Sequence, residues 1–285
     1  MAAQFAVTIA SGNRLRDWAR SLNALSRVSD TILLDVKNEE IDICCTNATR
    51  SVFAQIQISK EFFDKYIIKK SGKYNSSQSI NNHGDRVCIE VQTRFLVTIF
   101  RKHEKDVNVE KCDVRLDNTH KESRLVVQFH CRYGITKTYR MGYESAKPYK
   151  VLHSADDYAN TFEIKATILR DYVEHTSSRA EAFSMQFTPD QVVLTSFTEA
   201  AVKDQEILKQ PLQTSIHLDS VEFDHVFADD EAGTAFSLKE FRALVALAQG
   251  LDADIRGSFG EPTMPIVFEF EIGAIKATFL LFTAA

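Results

Sequence analysis

No run of about 18 apolar residues occurs in this chain, so it offers no helix that would span a membrane. The amino terminus also lacks the basic-then-apolar pattern of a secretory signal. An intracellular protein without a membrane partner is therefore expected. Cysteine is sparse: Cys44, Cys45, Cys88, Cys112 and Cys131 form an odd set with no C-x-x-C spacing, and they read as reduced core thiols, not a disulfide framework or a metal site. Also missing are G-x-x-x-x-G-K-[ST], G-x-G-x-x-G, H-E-x-x-H and G-x-S-x-G, the signatures of phosphate loops, dinucleotide folds, zinc peptidases and hydrolases. These absences weigh against an enzyme, and neither cofactor nor metal is expected. Net positive charge is lacking too. Lys and Arg total 34 against 39 Asp and Glu, a formal charge of −5, whereas a domain that grips nucleic acid over its whole surface is usually basic. Any phosphate contact must rest on local placement of charge.

What the chain does contain is one pattern written twice. Strand-like Phe5-Ala6-Val7-Thr8-Ile9 leads into a helical run opening Leu15-Arg16-Asp17-Trp18, and Phe162-Glu163-Ile164 leads into Leu169-Arg170-Asp171-Tyr172. Each half has a second amphipathic run, around Phe95 and Phe241, and closes on a strand pair. There, Gly134-Ile135-Thr136-Lys137 answers Gly273-Ala274-Ile275-Lys276. A repeat of this size bounds the fold tightly. At 285 residues the chain exceeds the roughly 100–200 of one domain, so two domains are expected, residues 1–143 and 161–285. Pro148 and several polar residues interrupt both periodicities over 144–160, the candidate connector. Residues 69–85 are polar and turn-rich and read as a surface insertion. Period-two alternation places strands at 31–36, 41–45, 52–58, 87–91, 109–116, 182–187 and 192–197. Strands outnumber helices, and short helices interrupt sheets without strict alternation, so the fold class is α+β.

Two acidic groupings invite a metal. Asp35, Glu39, Glu40 and Asp42 cluster, and a two-metal nuclease needs several carboxylates, but a solvated hairpin accounts for them better. His217 and His225 lie near Asp219 and Asp224 without a metal-ligand spacing.

The helices carry the stronger signal. Leu15, Trp18, Ala19, Leu22 and Leu25 form one apolar stripe, and Arg16, Arg20 and Arg27 project together on the opposite side. On the second helix, Phe95, Leu96, Ile99 and Phe100 are expected inward, leaving Arg94, Arg101 and Lys102 outward. In the second half Arg170 points outward, diluted by Asp171 and Glu174, and Lys239 and Arg242 take the outer side of the last helix. Basic outer faces recurring in an acidic protein suggest sequence-neutral contact with a DNA backbone.

Two β-rich halves with two helices each resemble the DNA sliding clamps, relatives of proliferating cell nuclear antigen. Within them, Val109-Glu110-Lys111-Cys112, the run from Ser123 to Cys131, and Ser237-Leu238-Lys239-Glu240-Phe241-Arg242 are similar to the Rad-nine subunits of the heterotrimeric checkpoint clamp, the nine-one-one complex. The resemblance implies a DNA-clamp fold, each chain one third of a ring, with helices lining the hole and antiparallel sheets outside. It implies a non-enzymatic, nuclear role with two other clamp subunits, double-stranded DNA, a clamp loader, and checkpoint and repair proteins as partners, and a phosphorylated carboxyl tail beyond the second half. By the same analogy, subunit contacts form through edge strands. Val109, Lys111, Val114 and Leu116 are candidates on one, and Val192, Leu194 and Ser196 on the other. Tyr149, Val151 and Leu152 are candidates for the rim of a partner groove. Three other readings stay open: a homotrimeric processivity clamp, a metal-dependent 3′–5′ exonuclease, and a scaffold that never meets DNA.

Overall fold

The computed structural model describes residues 4–69, 86–117, 124–149, 158–177, 179–188, 190–198, 213–228, 232–261 and 264–283. Nearly all of the polar stretch 69–85 lies outside the described residues, as do residues 150–157 of the expected connector. The chain forms two compact units. The first gathers Met1–Cys45, Gln55–Val151 and Gly273–Ala277, and the second gathers Thr46–Ala54, Leu152–Ile272 and Thr278–Ala285. The partition therefore falls between Val151 and Leu152, but it also assigns two short segments across the simple halves expected from the repeat.

Element order repeats in full. The first set is β1 (Gln4–Ala10), α1 (Asn13–Leu25), β2 (Thr31–Val36), β3 (Glu40–Thr46), β4 (Val52–Ser59), β5 (Lys65–Lys69), β6 (Val87–Gln92), α2 (Thr93–His103), β7 (Val109–Asp117), β8 (Arg124–Cys131) and β9 (Thr136–Gly142). After the short β10 (Glu144–Ser145) comes the second: β11 (Asn160–Lys165), α3 (Ala166–His175), β12 (Ala182–Phe187), β13 (Gln191–Phe197), β14 (Gln213–Asp219), β15 (His225–Phe227), β16 (Gly233–Ser237), α4 (Leu238–Leu251), β17 (Asp254–Phe259), β18 (Ile266–Ile272) and β19 (Ile275–Leu281). Sheet orders match as well. The run β5-β1-β7-β8-β9 has its counterpart in β15-β11-β17-β18-β19, and β6-β2-β3-β4 in β16-β12-β13-β14.

The paired motifs found in the sequence mark equivalent turns. Gly134 and Gly273 open β9 and β19 with φ of 72° and 55°, a left-handed conformation that costs glycine nothing and a side chain about 1–2 kcal/mol. Within the first unit the Ser59 N–H donates to the Ala274 carbonyl at 2.9 Å, and within the second the Phe282 N–H donates to the Ser51 carbonyl at 2.9 Å. The last residue of β4 and the residues flanking β4 and β19 thus have backbone partners.

Both cores are aromatic. In the first unit the α1 stripe is buried, and the Trp18 ring packs edge-on to Phe63 at 5.9 Å and lies 6.2 Å from Phe100. In the second, Phe162 is fully buried among Phe187, Phe223, Phe259 and Phe268, with ring centroids 5.2–6.4 Å away. The five cysteines are free thiols. Burial pushes Cys45 up to about 12 and Cys88 to about 11, so neither is a ready nucleophile at neutral pH. Among the described residues, no helix is long and apolar enough to cross a membrane.

Three expectations need correction. Strand β7 lies between β1 and β8, and β13 between β12 and β14, so neither is an edge. Val109, Val114, Leu116, Val192, Leu194 and Ser196 are accordingly buried, and of that set only Lys111 is exposed. The strands that end these sheets on that side are β9 and β14. Alternation tells which residues face a core; it carries no information on which strand lies outermost. Phe95 also departs from its stripe. It is 47% exposed, while Leu96, Ile99, Phe100 and His103 of α2 are buried, because residues one apart on a helix diverge by about 100° and Leu96 occupies the core direction.

His103 ends α2 with 4% exposure, its Nε2 2.9 Å from the Tyr139 hydroxyl, its ring 4.2 Å from Phe129 and its Nδ1 3.7 Å from Asp106. Burial first, then the Lys137 and Lys102 charges, lower its pKa against the opposing pull of Asp106. The folded chain therefore holds fewer protons than the unfolded one, whose imidazole titrates near 6.5. Stability from this group is complete above pH 6.5 and is lost as pH falls toward the folded value. Thermal melts from pH 7.5 to 5.5 are expected to fall less steeply in His103→Gln than in the wild type; parallel pH slopes contradict the assignment.

Candidate nucleic-acid interface

The two helices of the first unit present a set of exposed cations. Arg16 and Arg20 are exposed on α1, Arg27 just past its end, and Arg94, Arg101 and Lys102 on α2. Their partners are local and few. Arg16 donates to Asn13 Oδ1, Arg20 pairs with Asp17 at 3.0 Å, and the Arg94 guanidinium lies 4.9 Å from the centroid of Phe95. Exposed pairs of this kind are worth at most about 1 kcal/mol, so an incoming phosphate displaces them readily. Arg101 Nη2 reaches across from α2 to Asn23 Oδ1 on α1 at 3.4 Å. Between the two helices is a cleft of about 230 Å³ lined by Arg16, Arg20, Asn23, Arg101, Glu104 and Lys105, with Ala19 and Val97 at its base. Lys105 was missed in the sequence because it falls beyond the helix; its place four residues after Arg101 was the available signal.

The second unit treats its basic residues differently. Arg170 Nε donates to Glu174 Oε1 at 2.7 Å one turn on. Arg242 is half-buried and turned inward: its Nη2 donates to Thr176 Oγ1 at 2.6 Å and to the Ser177 carbonyl at 2.9 Å, and burial lowers its pKa. It satisfies groups at the end of α3, where helix carbonyls lack partners. This corrects the outward placement expected for it. Lys239 remains exposed on α4.

The acidic grouping is used by the fold. Asp35 and Asp42 are direct neighbours across β2 and β3, and both are buried. Asp35 accepts a hydrogen bond from Arg86 Nε at 2.7 Å, and Lys37 Nζ lies 2.6 Å from both Asp42 and Glu40. Burial pushes the Asp42 carboxyl up. Glu39 pairs with Lys60. His217 contacts Gln191 on β13, whereas His225 faces Thr161 on β11, so the two histidines serve different sheets. Among the described residues, no group of three or more His, Cys, Asp or Glu side chains is placed to hold a metal ion. Of the groove candidates, Tyr149 is exposed, and Val151 and Leu152 lie outside the described residues.

Comparison with known proteins agrees with this geometry. Residues 18–284 match the Rad9 family. The DNA repair protein rad9 of Schizosaccharomyces pombe is 33% identical over 96% of this chain and 69% of its own length. The cell cycle checkpoint control protein Rad9 of Drosophila melanogaster is 22% identical over 91% of the chain and 52% of its length. In structure, the chain is similar to the proliferating cellular nuclear antigen of Entamoeba histolytica, with a TM-score of 0.71 at 14% identity over 99% of both chains. It is equally similar to a chain of the PCNA2–PCNA3 complex of Sulfolobus tokodaii, with a TM-score of 0.71 at 12% identity and 98% coverage of both. With a duplicated clamp fold and a family match over almost its whole length, the chain belongs to the Rad9 family of checkpoint clamp subunits.

Proposed function

We propose that the chain is a non-enzymatic subunit of a heterotrimeric ring that encircles duplex DNA in the nucleus and recruits checkpoint and repair proteins. DNA is met chiefly through α1 and α2 of the first unit. The observation that carries this reading is the division of cations: Arg16, Arg27, Arg94, Arg101 and Lys102 are exposed, while Arg170 pairs with Glu174 on its own helix and Arg242 of α4 is bonded to the end of α3. Contacts through such side chains are to phosphate and indifferent to sequence.

Ring closure has its own support. Strands β9 and β14 are the repeat counterparts of β19 and β4, and the ends of those two are tied by backbone hydrogen bonds, Ser59 to Ala274 and Phe282 to Ser51. An edge left open where its counterpart is paired offers backbone N–H and C=O groups to another chain. The two edges also share one pattern, with Thr138 and Arg140 exposed on β9 and Ser215 and His217 on β14. Subunit contact is therefore assigned to β9 and β14 in place of β7 and β13.

Mixing the chain with candidate partner subunits and weighing the product tests this. A mass equal to one copy of each of three subunits, retained on closed circular DNA and released when the circle is cut, is expected. A stable homotrimer of this chain alone favours the processivity-clamp reading, and equal loss from circular and linear DNA contradicts encirclement.

A further inference from the structure

The cleft between α1 and α2 is walled by like charges. Arg16 and Arg20, four residues apart, lie on one face of α1; opposite them are Arg101 near the end of α2 and Lys105 two residues past it. Glu104 is the single acid lining the space, and Asp17 takes part of the Arg20 charge. Four cations against these two acids leave a positive excess inside a concave site, where field lines concentrate and an anion is held more strongly than on an open face. One polar link, Arg101 to Asn23, crosses the gap. The repulsion between the walls is relieved by an anion placed between them. A volume of about 230 Å³ holds several waters of ~30 Å³ each, so the site has room for a phosphate and the sugar attached to it.

We propose that this cleft is a phosphate seat, taking the sugar-phosphate backbone of one DNA strand between the helices where Arg94 and Lys102 make only surface contacts. The inference rests on the DNA-facing reading of α1 and α2. Guanidinium groups suit the ligand, because their planar forks match phosphate oxygens in pairs. Glu104 acts as a brake: its carboxylate opposes the incoming anion and keeps the seat from holding free phosphate tightly. The second unit offers no equivalent use of its α4 arginine, since Arg242 is committed to Thr176 and Ser177.

Two double variants of equal charge change separate a seat from a diffuse face, both measured in the assembled ring with the full chain. Arg101→Glu with Lys105→Glu is expected to weaken DNA binding at least tenfold more than Arg94→Glu with Lys102→Glu. Pyrophosphate titrated into the full chain is expected to shift backbone amide signals of α1 and α2 in the wild type and in the Arg94 and Lys102 variant, and not in the seat variant. Glu104→Gln is expected to tighten pyrophosphate binding several-fold, a gain that a damaged fold cannot produce. Equal losses from the two pairs, with no amide shifts in the cleft, overturn the seat and leave the DNA face standing. If neither pair weakens DNA binding, the DNA face itself fails and the proposal with it; pyrophosphate shifts that persist in that case identify free phosphate compounds as the ligand.

Discussion

Replacing Gly257 with alanine is expected to unfold the second unit at a temperature roughly 6–12 °C lower, a loss of about 3 kcal/mol. Gly257 sits in β17 opposite Phe162 of β11, and a Cβ there would fall 2.2 Å from Phe162 Cζ and 2.3 Å from its Cε1. The ring has nowhere to go. It is fully buried and enclosed by Phe187, Phe223, Phe259 and Phe268; Phe187 packs on Phe223 and Phe259 in turn, and Phe268 on Phe236 and Phe241. Interiors are packed as densely as organic crystals, so one added methyl is transmitted through the cluster instead of being absorbed. The check is a double-mutant cycle with Phe162→Leu. Removing the ring alone leaves a cavity and destabilises; combined with Gly257→Ala, the smaller side chain makes room for the methyl, and the pair is expected to lose less than the sum of the two. Strict additivity in thermal melts rejects the steric account.

Much of this arrangement was legible in the amino-acid order, and what was not has a common cause. The α1 stripe of Leu15, Trp18, Ala19, Leu22 and Leu25 is buried as its spacing implies, because a 3.6-residue period and a core leave one solution. The duplication was legible through Gly134 and Gly273, since a left-handed φ selects the same residue in both turns. Placement of β7 and β13 was not legible. Both alternate as half-buried strands do, and their neighbours β1, β8, β12 and β14 are chosen by topology, not by their own side chains. Arg242 shows the same limit at a single residue. Its basic character and its helix were readable, but its acceptor Thr176 lies 66 residues earlier, and nothing local to α4 announces it. Phe95 fails for a different reason: hydrophobic type predicts burial only statistically, and about half of a folded surface is apolar. The candidate site is thus readable as a set of residue types and unreadable as a division between free and committed charge.

That division leads to the prediction with the largest functional effect. Neutralising Arg16, Arg94, Arg101 and Lys102 to glutamine in the assembled ring is expected to lower DNA affinity on the order of a hundredfold at about 0.1 M salt. The slope of log K against log salt should flatten by about 3–4, since each phosphate contact contributes about 0.9 through release of its counterion. The matching change in the second unit, Arg170 and Arg242 to glutamine, is expected to leave that slope unchanged. Arg170 stands beside Asp171 and Glu174, so its stretch of α3 is net negative and draws no phosphate, and Arg242 spends its donors on Thr176 and Ser177. Its loss appears elsewhere, as reduced thermal stability of about 1–2 kcal/mol from unsatisfied groups at the end of α3. With those two set aside, Lys239, exposed on α4, is the one Lys or Arg left on α3 and α4, so these two helices add at most one contact. The two sets therefore separate by kind of effect as well as by size: the first changes salt dependence with little change in melting temperature, and the second does the reverse. Equal flattening of the slope by both sets would show that DNA is shared evenly between the units, and the internal bonds of Arg170 and Arg242 would then have to open on binding.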